Sequence, residues 1–107
     1  MHGNQTNQHH IVVDEKIDKA NLRRLAIKLE VELLNLNTQS EQLAALAKLE
    51  PLLSAIKRSK NLEIEIPEEL PNLMYWRLHT DLQKYSSLSQ ALSEFELSLK
   101  CWRIVLN

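Results

Sequence analysis

The histidines are the residues of this sequence that could most readily bind a metal. His2, His9 and His10 cluster near the N-terminus, and His79 stands alone later in the chain. A metal site in a protein needs three or four ligands held in fixed positions, and neighbouring histidines in a polar segment without periodicity do not provide them. We therefore predict no metal site and no cofactor.

Catalytic signatures are also missing from the sequence. Cys101 is the only cysteine, so an internal disulfide and a four-cysteine metal site are excluded. It lies on an apolar stripe of a predicted helix, where a buried, unreactive thiol is expected. We find no glycine-rich phosphate loop, no zinc-protease motif and no nucleophile elbow. These observations predict no catalytic residues and a protein that is not an enzyme.

A group of basic residues near the start of the chain could bind the phosphates of a nucleic acid. The group consists of Lys16, Lys19, Arg23, Arg24 and Lys28. Three acidic residues lie in the same stretch, no aromatic residues are interleaved, and the formal net charge is −1. We favour a solvated helix face and keep a small nucleic-acid-binding regulatory protein as the alternative function.

The composition indicates one small globular domain. The chain has 107 residues, of which 44% are hydrophobic and 25% charged, and it contains a single glycine. A fold rich in β-structure needs many tight turns, so the scarcity of glycine favours helices. Residues 1–11 are polar and predict a disordered leader, which leaves 12–107 as the helical domain. No membrane-spanning run or signal peptide is recognised, so we expect a cytoplasmic protein.

Two predicted helices carry apolar residues on two opposite faces. The first, from about residue 14 to 36, has a leucine stripe on one face and a second apolar stripe on the opposite face. The last, from 87 to 106, also has two opposite apolar stripes. The stripes are Leu22, Leu25, Leu29, Leu33 and Leu36, opposite Ala20, Ile27, Val31 and Leu34, and then Leu88, Leu92, Phe95, Leu99, Trp102 and Leu106, opposite Leu97, Cys101 and Ile104. A helix with two apolar faces is expected to make contacts on both sides.

The middle of the chain predicts two more helices and an extended connector. A helix over 41–60 contains Pro51, which predicts a kink there or, as an alternative, a break with the proline opening a new helix. In the connector 61–71 apolar and acidic residues alternate. A helix over 72–85 places Met74, Tyr75, Leu78, Leu82 and Tyr85 on one face and Trp76 on the opposite face. Trp76 is then either an exposed binding anchor or covered by the connector.

These patterns together predict an all-α, up-down bundle of four helices, of which the last two could form one continuous helix. Two two-faced helices offer more apolar surface than such a bundle buries. We therefore predict a non-enzymatic protein–protein interaction module, such as an adaptor, small chaperone, antagonist or immunity-type protein, which binds a protein partner or itself as a homodimer. The predicted contact residues are Trp76, Leu97, Cys101, Ile104, Ile27 and Val31.

Overall fold

The computed structural model of this chain describes residues 9–13, 16–71 and 73–106, and most of these residues are helical. The elements in chain order are β1 (His9–Val13), α1 (Lys19–Leu34), α2 (Glu41–Leu46), α3 (Glu50–Lys60), α4 (Leu73–His79), a 3-10 helix (Asp81–Lys84), α5 (Ser86–Leu99) and β2 (Trp102–Leu106). The predicted helical class is confirmed. The predicted up-down arrangement of four helices is not confirmed, because the described part of the chain contains five α-helices.

Helix α1 forms the centre of the fold. It begins after Asp18, whose carboxylate accepts a hydrogen bond from the backbone N–H of Asn21 at 3.0 Å. Its predicted leucine stripe is buried from Leu22 to Leu33. Helix α5 supplies the facing stripe, in which Phe95 is fully buried. The two stripes meet because each repeats at steps of three and four residues.

The predicted helix over 41–60 is two helices, so the kink that we favoured at Pro51 is wrong and the alternative is correct. Helix α2 starts after Ser40, whose hydroxyl accepts the backbone N–H of Leu43, and ends at Leu46. Helix α3 then begins at Glu50 with Pro51 in its first turn. A continuous helix would force the proline ring against the carbonyl of Ala47, whereas the first turn needs no donor at that position.

Helix α3 ends in a left-handed turn at Leu62, which has a φ of 60°. The backbone N–H of Leu62 donates to Ser59 and that of Glu63 donates to Arg58, which is the usual double hydrogen bond of such a helix end. The connector that follows contains neither helix nor strand, as predicted. Only Ile64 of its three alternating apolar residues is buried, while Leu62 and Ile66 are exposed.

The predicted helix over 72–85 ends early, and only the second half of its predicted apolar face is covered. Helix α4 stops at His79, and the hydroxyl of Thr80 accepts the backbone N–H of Leu82 to start the 3-10 helix. The change of helix type shifts the phase, so residues before and after Thr80 do not share one face. Of the predicted face, Met74, Tyr75 and Leu78 are exposed, whereas Leu82 is buried and Tyr85 packs against the core. Leu73, which was not predicted on this face, is buried.

The last predicted helix is also shorter than expected. Helix α5 starts at Ser86 without a side-chain cap and ends at Leu99. Cys101 then adopts a left-handed conformation with a φ of 59°, which turns the chain into β2. Residues 73–106 therefore form separate elements, and Trp102–Leu106 is a strand rather than the end of a helix.

Strands β1 and β2 pair antiparallel and bring the two ends of the described chain together. His9 lies opposite Leu106, and Val13 lies opposite Trp102. Of the predicted leader, residues 9–11 belong to β1, and residues 1–8 lie outside the described part of the chain. Within that part, no helix combines the length and the apolar character that crossing a membrane requires.

Candidate interaction surface

In the described part of the chain, the outer side of α1 carries an apolar surface that the fold leaves uncovered. Ile27, Val31 and Leu34 are 40%, 46% and 80% exposed, respectively. They are separated by four and three residues, so they share one face, opposite the buried leucine stripe. We call these three residues the outer α1 surface. Ile27 and Val31 were predicted as contact residues, and the structure places both where a partner could reach them.

A recess continues this surface toward α3. It has a volume of about 600 Å³, and Leu34 and Leu53 contribute exposed apolar side chains to its wall. Its remaining lining combines buried apolar residues with charged ones, which are Glu30, Leu33, Ala47, Lys48, Ile56, Lys57 and Lys60. An apolar strip with a charged margin is the composition that protein-binding surfaces commonly have.

Ion pairs surround the outer α1 surface on both sides. On the α3 side, the ammonium group of Lys60 donates to both carboxylate oxygens of Glu30, at 2.7 and 2.9 Å. On the α5 side, Lys28 donates to Glu94 at 3.1 Å, and this hydrogen bond lowers the pKa of the Glu94 carboxyl. These pairs fix α1 between its neighbours and leave its apolar strip facing outward.

The basic group that suggested nucleic-acid binding is partly neutralised by these contacts. Lys19 forms an ion pair with Glu65, and Lys28 pairs with Glu94. Arg24 donates a hydrogen bond to the side-chain carbonyl of Asn21 at 2.7 Å, while Arg23 and Lys16 are exposed. Acidic side chains therefore lie among these basic residues, and the residues do not form one continuous basic stripe. The structure adds no support for the alternative function of nucleic-acid binding.

The remaining predicted contact residues whose side chains are described are less exposed than Ile27 and Val31. Trp76 is half-buried and packs against the core, with its ring edge-to-face to Tyr75 at a centroid distance of 5.7 Å. Leu97 is half-buried and Cys101 is buried. The side chain of Ile104 lies outside the described part of the chain. Trp76, Leu97 and Cys101 are therefore not part of the exposed apolar surface of the described structure.

A second recess contains a charged cluster that we did not predict. The Arg77 guanidinium donates to Glu96 at 2.6 Å, and Lys100 lies 3.4 Å from Glu96 and 3.7 Å from Glu69. Glu96 is buried, and the recess around it has a volume of about 620 Å³. Each of the four charged groups has an ionic partner, so the cluster connects the connector, α4 and α5. We call it the Glu96 cluster.

Sequence spacing predicts only some of the contacts in the Glu96 cluster. Glu96 and Lys100 are four residues apart, which places them side by side on a helix. Arg77 lies 19 residues before Glu96 and reaches it only because α4 folds back beside α5. Among the described residues there is no group of three or more histidine, cysteine or acidic side chains arranged to hold a metal ion.

Comparison of the chain with protein-family models, with curated proteins and with solved structures finds no match. The class of the protein therefore follows from its own architecture, which is a small, mostly helical fold with an uncovered apolar face on its central helix.

Proposed function

We propose that this protein is a non-enzymatic protein–protein interaction module and that the outer α1 surface is its contact site. The observation that carries the proposal is the exposure of Ile27, Val31 and Leu34 on the helix that also forms the centre of the core. Scattered exposed apolar residues are ordinary, but a row of three at helical spacing is a contiguous patch.

The position of the patch supports this assignment. Helix α1 is held on one side by α3 and on the other by α5, so its outer face is presented on a rigid support. A helix that is fixed before binding loses little conformational entropy when it binds. Adaptors, small chaperones, antagonists and immunity-type proteins all act by such contacts without chemical turnover.

Photo-crosslinking in the cells that naturally produce the protein tests this function. The photoreactive residue p-benzoylphenylalanine replaces Ile27 in one variant and Ser54, an exposed residue of α3, in a matched control. We expect a covalent protein adduct from position 27 and none from position 54. If position 27 yields no adduct beyond the control, the proposed function is overturned.

A further inference from the structure

We propose that the recess around the Glu96 cluster is a binding site for a small carboxylic acid with an apolar body. This inference goes beyond the proposed function and does not depend on it, because the recess is lined by the connector, α4 and the end of α5 and contains no residue of the outer α1 surface. Its volume of about 620 Å³ lies within the range of about 300–1,000 Å³ that small-molecule sites commonly have.

The enclosed charges of the recess favour an anion. Arg77 lies 2.6 Å from one carboxylate oxygen of Glu96, and Lys100 lies 3.4 Å from the other. The side chains of Arg77, Lys100 and Glu96 are 25%, 19% and 11% exposed, and two cations with one carboxylate carry a net positive charge. Glu69 lies 3.7 Å from Lys100, but its side chain is 81% exposed and therefore well hydrated. A ligand carboxylate could replace Glu69 beside Lys100 at little cost, because a hydrated ion pair contributes little.

Arg77 has hydrogen-bond donors for such a carboxylate. Its hydrogen bonds to described residues both leave from Nη2, to the hydroxyl of Ser93 at 3.5 Å and to Glu96 at 2.6 Å. The Nε and Nη1 groups of Arg77 donate to no residue that the structure describes. A guanidinium presents its N–H groups in a planar fork that suits a carboxylate. Arg77 can therefore bind a second carboxylate while its ion pair with Glu96 remains in place.

The apolar part of the wall determines the body of the ligand. Leu70 and Leu73 are buried beside the recess, and Met74 and Tyr75 line it with exposed side chains. Small-molecule sites typically combine such apolar and aromatic side chains with a few charged groups that fix the orientation of the ligand. An acid with an aromatic or aliphatic body covers apolar surface here, so both its carboxylate and its body should contribute to the affinity.

Two-dimensional proton–nitrogen NMR titrations of the full chain test the site, with phenylacetate as the probe. We expect saturable shifts of the backbone amide signals around Arg77 and Glu96, with a dissociation constant of about 1 mM. Phenylacetamide lacks the charge and acetate lacks the ring, so each should bind at least about tenfold more weakly at the same ionic strength. The absence of saturable shifts with phenylacetate up to about 10 mM, or equal binding of phenylacetamide, overturns the proposal.

Two exposed residues of the recess allow variants that should leave the fold intact. Glu69→Gln removes the carboxylate that competes for Lys100, and we expect it to tighten phenylacetate binding about threefold. Met74→Glu places a negative charge on the wall and should weaken binding at least about fivefold. Ser54→Glu adds the same charge at an exposed position of α3, outside the recess, and should leave binding unchanged. Unchanged affinity in both recess variants would place phenylacetate elsewhere and overturn the site.

Two short peptides that end in phenylalanine distinguish a free small acid from the end of a protein chain. One peptide has a free carboxylate at its C-terminus, and the other is amidated. If the first binds at least as tightly as phenylacetate and the second does not bind, the site accepts chain ends. If neither peptide binds, the ligand is a free small acid. Both results support the carboxylate site, whereas equal binding of the two peptides to the recess overturns it.

Discussion

Glu68 accepts two hydrogen bonds from the Arg58 guanidinium, at 2.6 and 2.8 Å, and this ion pair fastens the connector to α3. The hydrogen bonds lower the pKa of the Glu68 carboxyl below its ordinary value, although partial desolvation opposes the shift. A carboxyl with a lowered pKa in the folded state stabilises the fold above its unfolded pKa. That stability is lost as the pH falls through the folded pKa.

We therefore expect the free energy of unfolding to fall as the pH drops below about 4.5, and we expect Glu68→Gln to make this fall shallower. Both side chains remain about a third exposed, so solvent screening limits the contribution at neutral pH to about 1 kcal/mol. Urea unfolding at several pH values between about 3 and 7 measures the effect. The unsubstituted protein, measured over the same pH range, is the control. Equal profiles for Glu68→Gln and the unsubstituted protein would contradict the assignment.

At the scale of an element, the end of α3 depends on a residue that is poorly suited to its backbone conformation. Leu62 is left-handed, and this conformation costs a residue with a Cβ about 1–2 kcal/mol. Glycine avoids most of that cost, which is why it commonly occupies this position after a helix. The sequence has no glycine here, so the two hydrogen bonds of the turn and the burial of Ile64 must hold the conformation.

We expect Leu62→Gly to be more stable than Leu62→Ala by about 1 kcal/mol. Both variants remove the same exposed leucine side chain, so their difference isolates the backbone cost of the left-handed turn. Chemical unfolding of the two variants under identical conditions gives the comparison. If alanine proves as stable as glycine at this position, the turn is not strained in solution.

For the whole molecule, the Glu96 cluster connects elements that are distant in sequence. Its carboxylate on α5 binds Arg77 from α4, and Lys100 extends the cluster to Glu69 in the connector. Glu96 is buried, so removal of one partner leaves a charge with fewer contacts in a site of limited solvent access. The effects of substituting Arg77 and Glu96 on the free energy of unfolding should therefore not be additive.

A double-mutant cycle measures this coupling. We expect Arg77→Met and Glu96→Gln to destabilise the protein individually, and the double variant to cost about 2 kcal/mol less than the sum of the two. Urea unfolding of the four proteins provides the values. Additivity within about 0.5 kcal/mol would show that the ion pair contributes little to holding α4 on α5.

Local periodicity was sufficient to predict the helical class and the two main core stripes. The spacing of Leu22, Leu25 and Leu29 on α1, and of Leu92 and Phe95 on α5, specifies which face is buried wherever a helix is long enough to keep one phase. The same reasoning predicted that Ile27 and Val31 lie on the opposite face of α1. These features follow from the 3.6 residues per turn of a helix, so the spacing of apolar residues within one segment is enough to predict them.

Only the tertiary structure decided where elements end and which distant groups meet. The helices break before Pro51, at Thr80 and at Cys101. The break at Thr80 separates the phase of α4 from that of the following residues, and in α4 Trp76 faces the core while Met74, Tyr75 and Leu78 are exposed. The contact between Arg77 and Glu96 depends on how α4 folds back on α5, which no local spacing specifies. Side-chain periodicity acts over a few residues, whereas these features arise from the packing of segments that are far apart in the chain.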